Sequence, residues 1–215
     1  MIALGFPPSA PRVLCIGAHS DDIEIGCAGT LLEWRQRYPA LQICWVVMST
    51  DDLRAKEARK SARALLGNKL TQVILGNFND GYLPAQFSAA KNFLASVRER
   101  FIPDVVLTHR LDDRHQDHRL ISEMTWQTWR DQLILEYEIP KYEGDLGQPN
   151  LYVPLTRKHA DHKLRHLMTH FGSQRSKDWF REQVFTGLMH LRGIECRAES
   201  GCAEAFHARK VVLGG

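Results

Sequence analysis

Val13-Leu14-Cys15-Ile16-Gly17-Ala18 runs directly into His19-Ser20-Asp21-Asp22. An apolar run that breaks abruptly into an imidazole and two acids reads as a strand buried on both faces, delivering a polar cluster at its carboxyl end. Apolar residues then recur at Ile23, Cys27, Leu31 and Trp34. That is helical spacing, and acids in a first turn favour a helix N-terminus. The stretch is therefore the opening strand and helix of an α/β fold.

The same alternation continues outward. Leu41–Met48 reads as a second strand, and Ser49-Thr50-Asp51-Asp52 caps a helix that runs to about Leu66 and is closed by Gly67. A strand at Gln72–Leu75, a helix over Ala89–Phe101, a strand at Asp104–Thr108, a helix over His118–Arg130 and a strand at Ile134–Pro140 follow. Beyond them the pattern loosens: a loop at Gly144–Pro149, helices over Asp161–Phe171 and Ser176–Arg192, and a closing strand at Ala205–Leu213. Strands alternating with helices predict a Rossmann-like three-layer α/β fold, a mostly parallel sheet with helices on both faces. At 215 residues the expectation is a single domain, 1–215.

Composition narrows the function. The longest apolar run is far too short to cross a bilayer, so no membrane span is expected. A net charge of +3 is too small for a nucleic-acid binder. Met1–Phe6 lacks the basic and apolar regions of a secretion signal, which makes a cytoplasmic location the expectation. The five cysteines are scattered with no C-x-x-C pair, so they read as buried small hydrophobes rather than a disulfide or zinc-ribbon framework. A homo-oligomer is compatible with all of this.

In open α/β sheets ligands bind outside the carboxyl ends of the strands, and two polar clusters carrying four of the ten histidines fall there. One cluster is His19-Ser20-Asp21-Asp22; the other is the run from Thr108 to His118, THRLDDRHQDH, after the fourth strand. Taken alone, an Asp pair after a strand is explained by helix capping. A second polar cluster after another strand, ending in H-x-D-H, is not. A catalytic zinc takes three protein ligands and keeps an open position, and His19, Asp22 and one histidine of His115-x-x-His118 supply such a set. His159-Ala160-Asp161-His162 is a second H-x-D-H, but it follows Thr156-Arg157-Lys158 rather than an apolar strand, and with His166 and His170 it reads as a helix face. Phosphate-loop, dinucleotide, nucleophile-elbow and H-E-x-x-H motifs are absent.

Gly17-Ala18-His19-Ser20-Asp21-Asp22 together with His115-Gln116-Asp117-His118 resembles the PIG-L/LmbE family of zinc-dependent de-N-acetylases acting on N-acetylglucosamine conjugates. Arg54-x-x-Glu57, Asp80-Gly81-Tyr82-Leu83, Gly172-Ser173-Gln174 and Ala203-Glu204-Ala205-Phe206 look like family landmarks in family order. The family usually has Pro where Ser20 and Gln116 stand, and neither position is a ligand. The resemblance implies His19, Asp22 and His118 as zinc ligands, Fe2+ being the alternative ion. It implies Asp21 as general base and His115 as a group that assists the transition state, as a cation oriented by Asp112 or Asp113. Asp113 and Asp117 would stand behind the ligands, and Arg54 and Asp80 would bind the sugar. The implied reaction is hydrolytic removal of acetate from a small N-acetyl amino-sugar conjugate. A non-haem iron(II) enzyme and a non-catalytic sugar- or nucleotide-binding protein with a retained metal are the alternatives.

Overall fold

The computed structural model describes residues 11–212. The first ten residues, on which the secretion-signal expectation rests, and Leu213 of the expected closing strand lie outside them. The chain builds β1 (Arg12–Gly17), α1 (Asp22–Arg37), β2 (Gln42–Val47), α2 (Asp52–Leu66), β3 (Leu70–Leu75), α3 (Phe87–Arg100), β4 (Val105–His109), α4 (Gln116–Thr128) and β5 (Leu133–Tyr137). It then adds β6 (Leu151–Pro154), α5 (Arg157–His170), α6 (Glu182–Cys196) and β7 (Ala203–Ala208).

The seven strands form one sheet in the order β3-β2-β1-β4-β5-β7-β6. β3, β2, β1, β4 and β5 pair in parallel, whereas β7 pairs antiparallel with both β5 and β6. From β1 the chain winds outward to β2 and β3 on one side, then returns to β4 on the other. The crevice between the carboxyl ends of β1 and β4 is thus the switch point of the sheet, the place where such folds bind ligands.

Alternate residues of the central strands feed two cores. Val13, Cys15, Ile43, Trp45, Val47 and Leu107 pack with α1, α2 and α5, while Leu14, Ile16, Cys44, Val46 and Val106 pack with α3 and α4. Both faces are covered, as the uninterrupted apolar strands require. All five cysteines are free and buried. No helix among the described residues is long and apolar enough to cross a membrane.

Several elements differ from the sequence expectation, among them β7, which ends at Ala208 and not at Leu213, and α4, which begins at Gln116 and not at His118. β6 was missed, because Leu-Tyr-Val-Pro is four partly exposed residues with no readable period, and its pairing with β7 alone makes it a strand. α5 begins at Arg157, not Asp161, since the Thr156 side chain caps it by accepting from the His159 amide. α6 starts later than expected because the preceding turn buries Phe180 between Phe171 and Phe185. Two of the four α5 histidines are buried, as on a partly packed helix face: His166 lies 2.8 Å from Ser61 Oγ and His159 Nδ1 2.8 Å from Glu33 Oε1.

α1 meets β5 at Gly26, where an added Cβ would overlap the Tyr137 ring. Tyr137 is fully buried and donates its hydroxyl to the Ile16 carbonyl at 2.7 Å, tying β5 to β1 beside the switch point. Gly26→Ala is expected to destabilise the protein by about 1–3 kcal/mol through overpacking. Thermal unfolding checks this: a midpoint lowered by several degrees is expected, and an unchanged one would show that the helix moves aside freely.

Candidate metal centre

β1 carries Gly17 and Ala18 to the edge of the sheet, where the Met48 and Ser49 amides hold their carbonyls at 3.0 and 2.8 Å. The chain then turns through His19 into α1. Asp21 occupies the N-cap position, yet its side chain makes no capping bond. It is 3% exposed, and its Oδ2 has no hydrogen-bond partner. Capping therefore does not explain Asp21. Asp22 instead reaches back, accepting from the His19 amide at 2.6 Å.

The second cluster arrives from β4. α4 is capped by His115, whose Nδ1 accepts from the Asp117 amide at 3.2 Å, and this places His118 in the first turn, pointing at His19 and Asp22. His19 Nδ1 is 3.2 Å from His118 Nε2 and 3.4 Å from Asp22 Oδ2, and His118 Nε2 is 3.5 Å from Asp22 Oδ1. Donors held about 2.0–2.1 Å from a tetrahedral zinc stand about 3.3–3.4 Å apart, so the spacing fits such an ion. Other donors lie within reach as well. His115 groups with His19 and His118, His109 with Asp22 and His118, and Asp80 and Asp117 with His19.

The nitrogens facing away from the centre are held by carboxylates. His118 Nδ1 lies 3.0 Å from Asp113 Oδ2, and His19 Nε2 lies 3.0 Å from Asp80 Oδ1 and 3.3 Å from Asp117 Oδ2. This arrangement fixes tautomer and ring orientation in metal sites. Asp113 thus serves His118, not the His115 ring, and Asp112 is an exposed residue 3.8 Å from Arg209. Asp80 also binds Arg54 at 2.7 Å. The two expected sugar-binding residues therefore hold each other, with Asp80 braced against His19.

Burial and neighbouring charge set the protonation states. Burial, with His109 beside it, pushes His118 down to about 4, leaving a neutral imidazole with a lone pair. Burial opposes charge on Asp22, but His118, His109 and His19 hold it well below the usual carboxylate range. Burial likewise opposes charge on His19, yet Asp22, Asp117 and Asp80 raise it well above its ordinary value. Burial and the Asp22 charge push Asp21 up to about 6. Burial and His19 lower His115, so the expected imidazolium is disfavoured there. Four buried carboxylates, Asp21, Asp22, Asp113 and Asp117, and the half-exposed Asp80 converge on the centre against Arg54, Lys141 and His19. The negative charge left over suits a cation.

Sequence reasoning passed over two residues that shape this centre. His109, fully buried at the end of β4, stacks on His118 with ring centroids 3.9 Å apart and places Nε2 3.2 Å from Asp22 Oδ2. Tyr137 places its hydroxyl 3.3 Å from His109 Nε2. Both are last residues of parallel strands, a position that could have singled them out. The histidines of α5 join no potential metal group among the described residues.

Comparison with known proteins places this geometry in context. The family model PIG-L, GlcNAc-PI de-N-acetylase, matches residues 14–129. A protein of Escherichia coli (strain K12), the uncharacterized deacetylase YaiS, is 32% identical over 140 residues, 60% of this chain and 74% of that one. N,N'-diacetylchitobiose deacetylase from Pyrococcus horikoshii superposes with a TM-score of 0.71 at 21% identity, over 93% of this chain and 84% of that one. The 4-carboxy-2-hydroxymuconate hydratase GalB of Pseudomonas putida KT2440 gives 0.77 at 16% identity, over 95% and 98%. At these identities the two structures show a shared fold.

Removing one donor from the centre is expected to abolish stoichiometric metal. Metal analysis of purified His19→Ala, Asp22→Ala and His118→Ala should show the loss, while His162→Ala keeps the ion. The reverse pattern would move the centre to α5.

Proposed function

This chain belongs to the PIG-L family, GlcNAc-PI de-N-acetylase, whose model spans more than half of it; from that membership and the centre's geometry we propose that it is a zinc-dependent hydrolase removing the acetyl group from an N-acetylated amino-sugar conjugate. His19, Asp22 and His118 hold the ion. When bound, zinc supplies a Lewis acid that lowers the pKa of water toward about 7 and polarises the amide carbonyl.

The observation that carries this reading is Asp21. It is a buried carboxylate with one unpartnered oxygen, pushed up to about 6, beside three donors spaced for a metal. Oδ2 is free to take the proton of the attacking water and then deliver it to the leaving amine nitrogen. Water and amide become acetate and a free amine. His115 meets the oxygen on which negative charge develops. Its Nδ1 is occupied by the Asp117 amide, so the neutral ring presents Nε2–H as a hydrogen-bond donor. This replaces the cationic role expected from the sequence.

Arg54 is assigned to the sugar. Its guanidinium spends one nitrogen on Asp80 and keeps other N–H groups for substrate hydroxyls, at the start of α2 on the rim of the crevice. Asp80 is shared, one oxygen on Arg54 and one on His19.

The test is incubation of zinc-loaded protein with a panel of N-acetylglucosaminides, measuring acetate and free amine together. Equimolar release is expected. Asp21→Asn should retain zinc and lose at least about a hundredfold in rate. The base must be ionised, so kcat/KM should rise with pH through an acidic limb at or below about 6, and the charge of a bound ion moves that limb lower. Retention of activity in Asp21→Asn would overturn the base assignment. Zinc binding with no acetate from any substrate would favour a binding protein, and turnover requiring iron and oxygen would favour an oxygenase.

A further inference from the structure

Behind His118 the polar chain continues to two residues with no part in the reaction just described. Lys141 is 8% exposed and places Nζ 3.0 Å from Asp113 Oδ2, the same oxygen that holds His118 Nδ1. On its other side the ammonium binds both carboxylate oxygens of Asp145 at 2.7 Å. Asp145 is anchored in turn, accepting from the Arg114 amide at 2.6 Å. The four side chains form a line of alternating charge, Asp145, Lys141, Asp113 and His118, all less than a tenth exposed.

Lys141 and Asp145 sit in the loop after β5, whereas Asp113 and His118 sit in the loop after β4 and the first turn of α4. Gly144, at φ 60, turns the chain so that the residues four apart face each other. An exposed lysine pair would contribute little. Here the ammonium is buried, hydrogen-bonded to both Asp145 oxygens and ion-paired with Asp113, which makes the arrangement costly to break from one side. A carboxylate bonded to a ligating imidazole orients the ring and tunes its donor strength. The cation that fixes that carboxylate controls both.

We propose that Lys141 is a positioning residue for the metal centre: by pinning Asp113, with Asp145 as its own counter-charge, it sets the orientation of His118 and hence metal affinity. This rests on the reading of His118 as a ligand. Without Lys141, Asp113 and Asp145 lose the ammonium that bridges them, and the Oδ2 of Asp113 is left with His118 alone while only Oδ1 stays fixed, by the His115 amide.

The experiment measures zinc affinity of the metal-free protein by competition with a chromophoric chelator, with thermal unfolding of the same metal-free samples alongside. Lys141→Met is expected to weaken zinc binding about tenfold or more, and Lys141→Arg to restore most of it. Asp145→Asn, a milder change, should weaken it in the same direction. In an Asp113→Asn background Lys141→Met should cost nothing further, because its effect travels through that carboxylate. Wild-type affinity in Lys141→Met, or an equal loss with and without Asp113, would overturn the inference; a lower unfolding midpoint at wild-type affinity would make the lysine merely structural. Zinc binding by wild type that is insensitive to His118→Ala would remove the functional reading and this inference together, whereas binding lost in His118→Ala but intact in Lys141→Met removes only the latter.

Discussion

Carboxylates crowded out of water between β1 and β4 are the constraint from which the rest of this site follows. Asp22, Asp113 and Asp117 are at most 4% exposed, and each is stabilised by a separate device. Asp22 has the His19 amide and three imidazoles around it. Asp113 has His118 and Lys141. Asp117 accepts from the Gly81 and Leu83 amides at 2.7 and 3.1 Å, which also fastens the loop carrying Asp80. Asp21 alone lacks such a partner on one oxygen, and it is the one carboxylate of the centre whose proton affinity is pushed up into the working range of a general base. The differing roles proposed for the adjacent Asp21 and Asp22 thus come from what each faces, not from their chemistry.

The fold supplies this arrangement cheaply. Parallel β1 and β4 deliver two clusters to one crevice, and two helix N-termini begin there, which suits negative charge. Gly26 lets α1 lie close to Tyr137, and the Tyr137 hydroxyl joins β5, β1 and His109. The back of the centre is therefore built from the sheet itself. Its front is made of the first turn of α2, which bears Arg54, and the loop after β3, which bears Asp80, where substrate preference can vary without disturbing the proposed metal donors.

The contiguous parts of the site were legible in the sequence. His19 to Asp22 and His115 to His118 each lie within one strand-to-helix junction, so local pattern places them. What was not legible depends on neighbours brought together by the sheet. His109 looks like an ordinary end of β4 until α4 folds its imidazole stack over it. Arg54 and Asp80, read separately as sugar contacts, prove to be partners because β2 and β3 are adjacent. Lys141 sits in a loop with no motif, and its importance comes only from the proximity of β5 to β4. The second H-x-D-H joins no potential metal group among the described residues, and the packing of His159 on Glu33 of α1 and of His166 on Ser61 of α2 was not legible, since nothing in α5 alone shows which helix will cover it.

The central claim is that three particular donors bind one ion. X-ray absorption at the zinc edge of the stoichiometrically loaded protein tests it most directly. A shell of nitrogen and oxygen donors near about 2.0 Å, with outer scattering from two imidazoles, is the expected result. Scattering from one imidazole or from three, or a sulfur donor near about 2.3 Å, would contradict it.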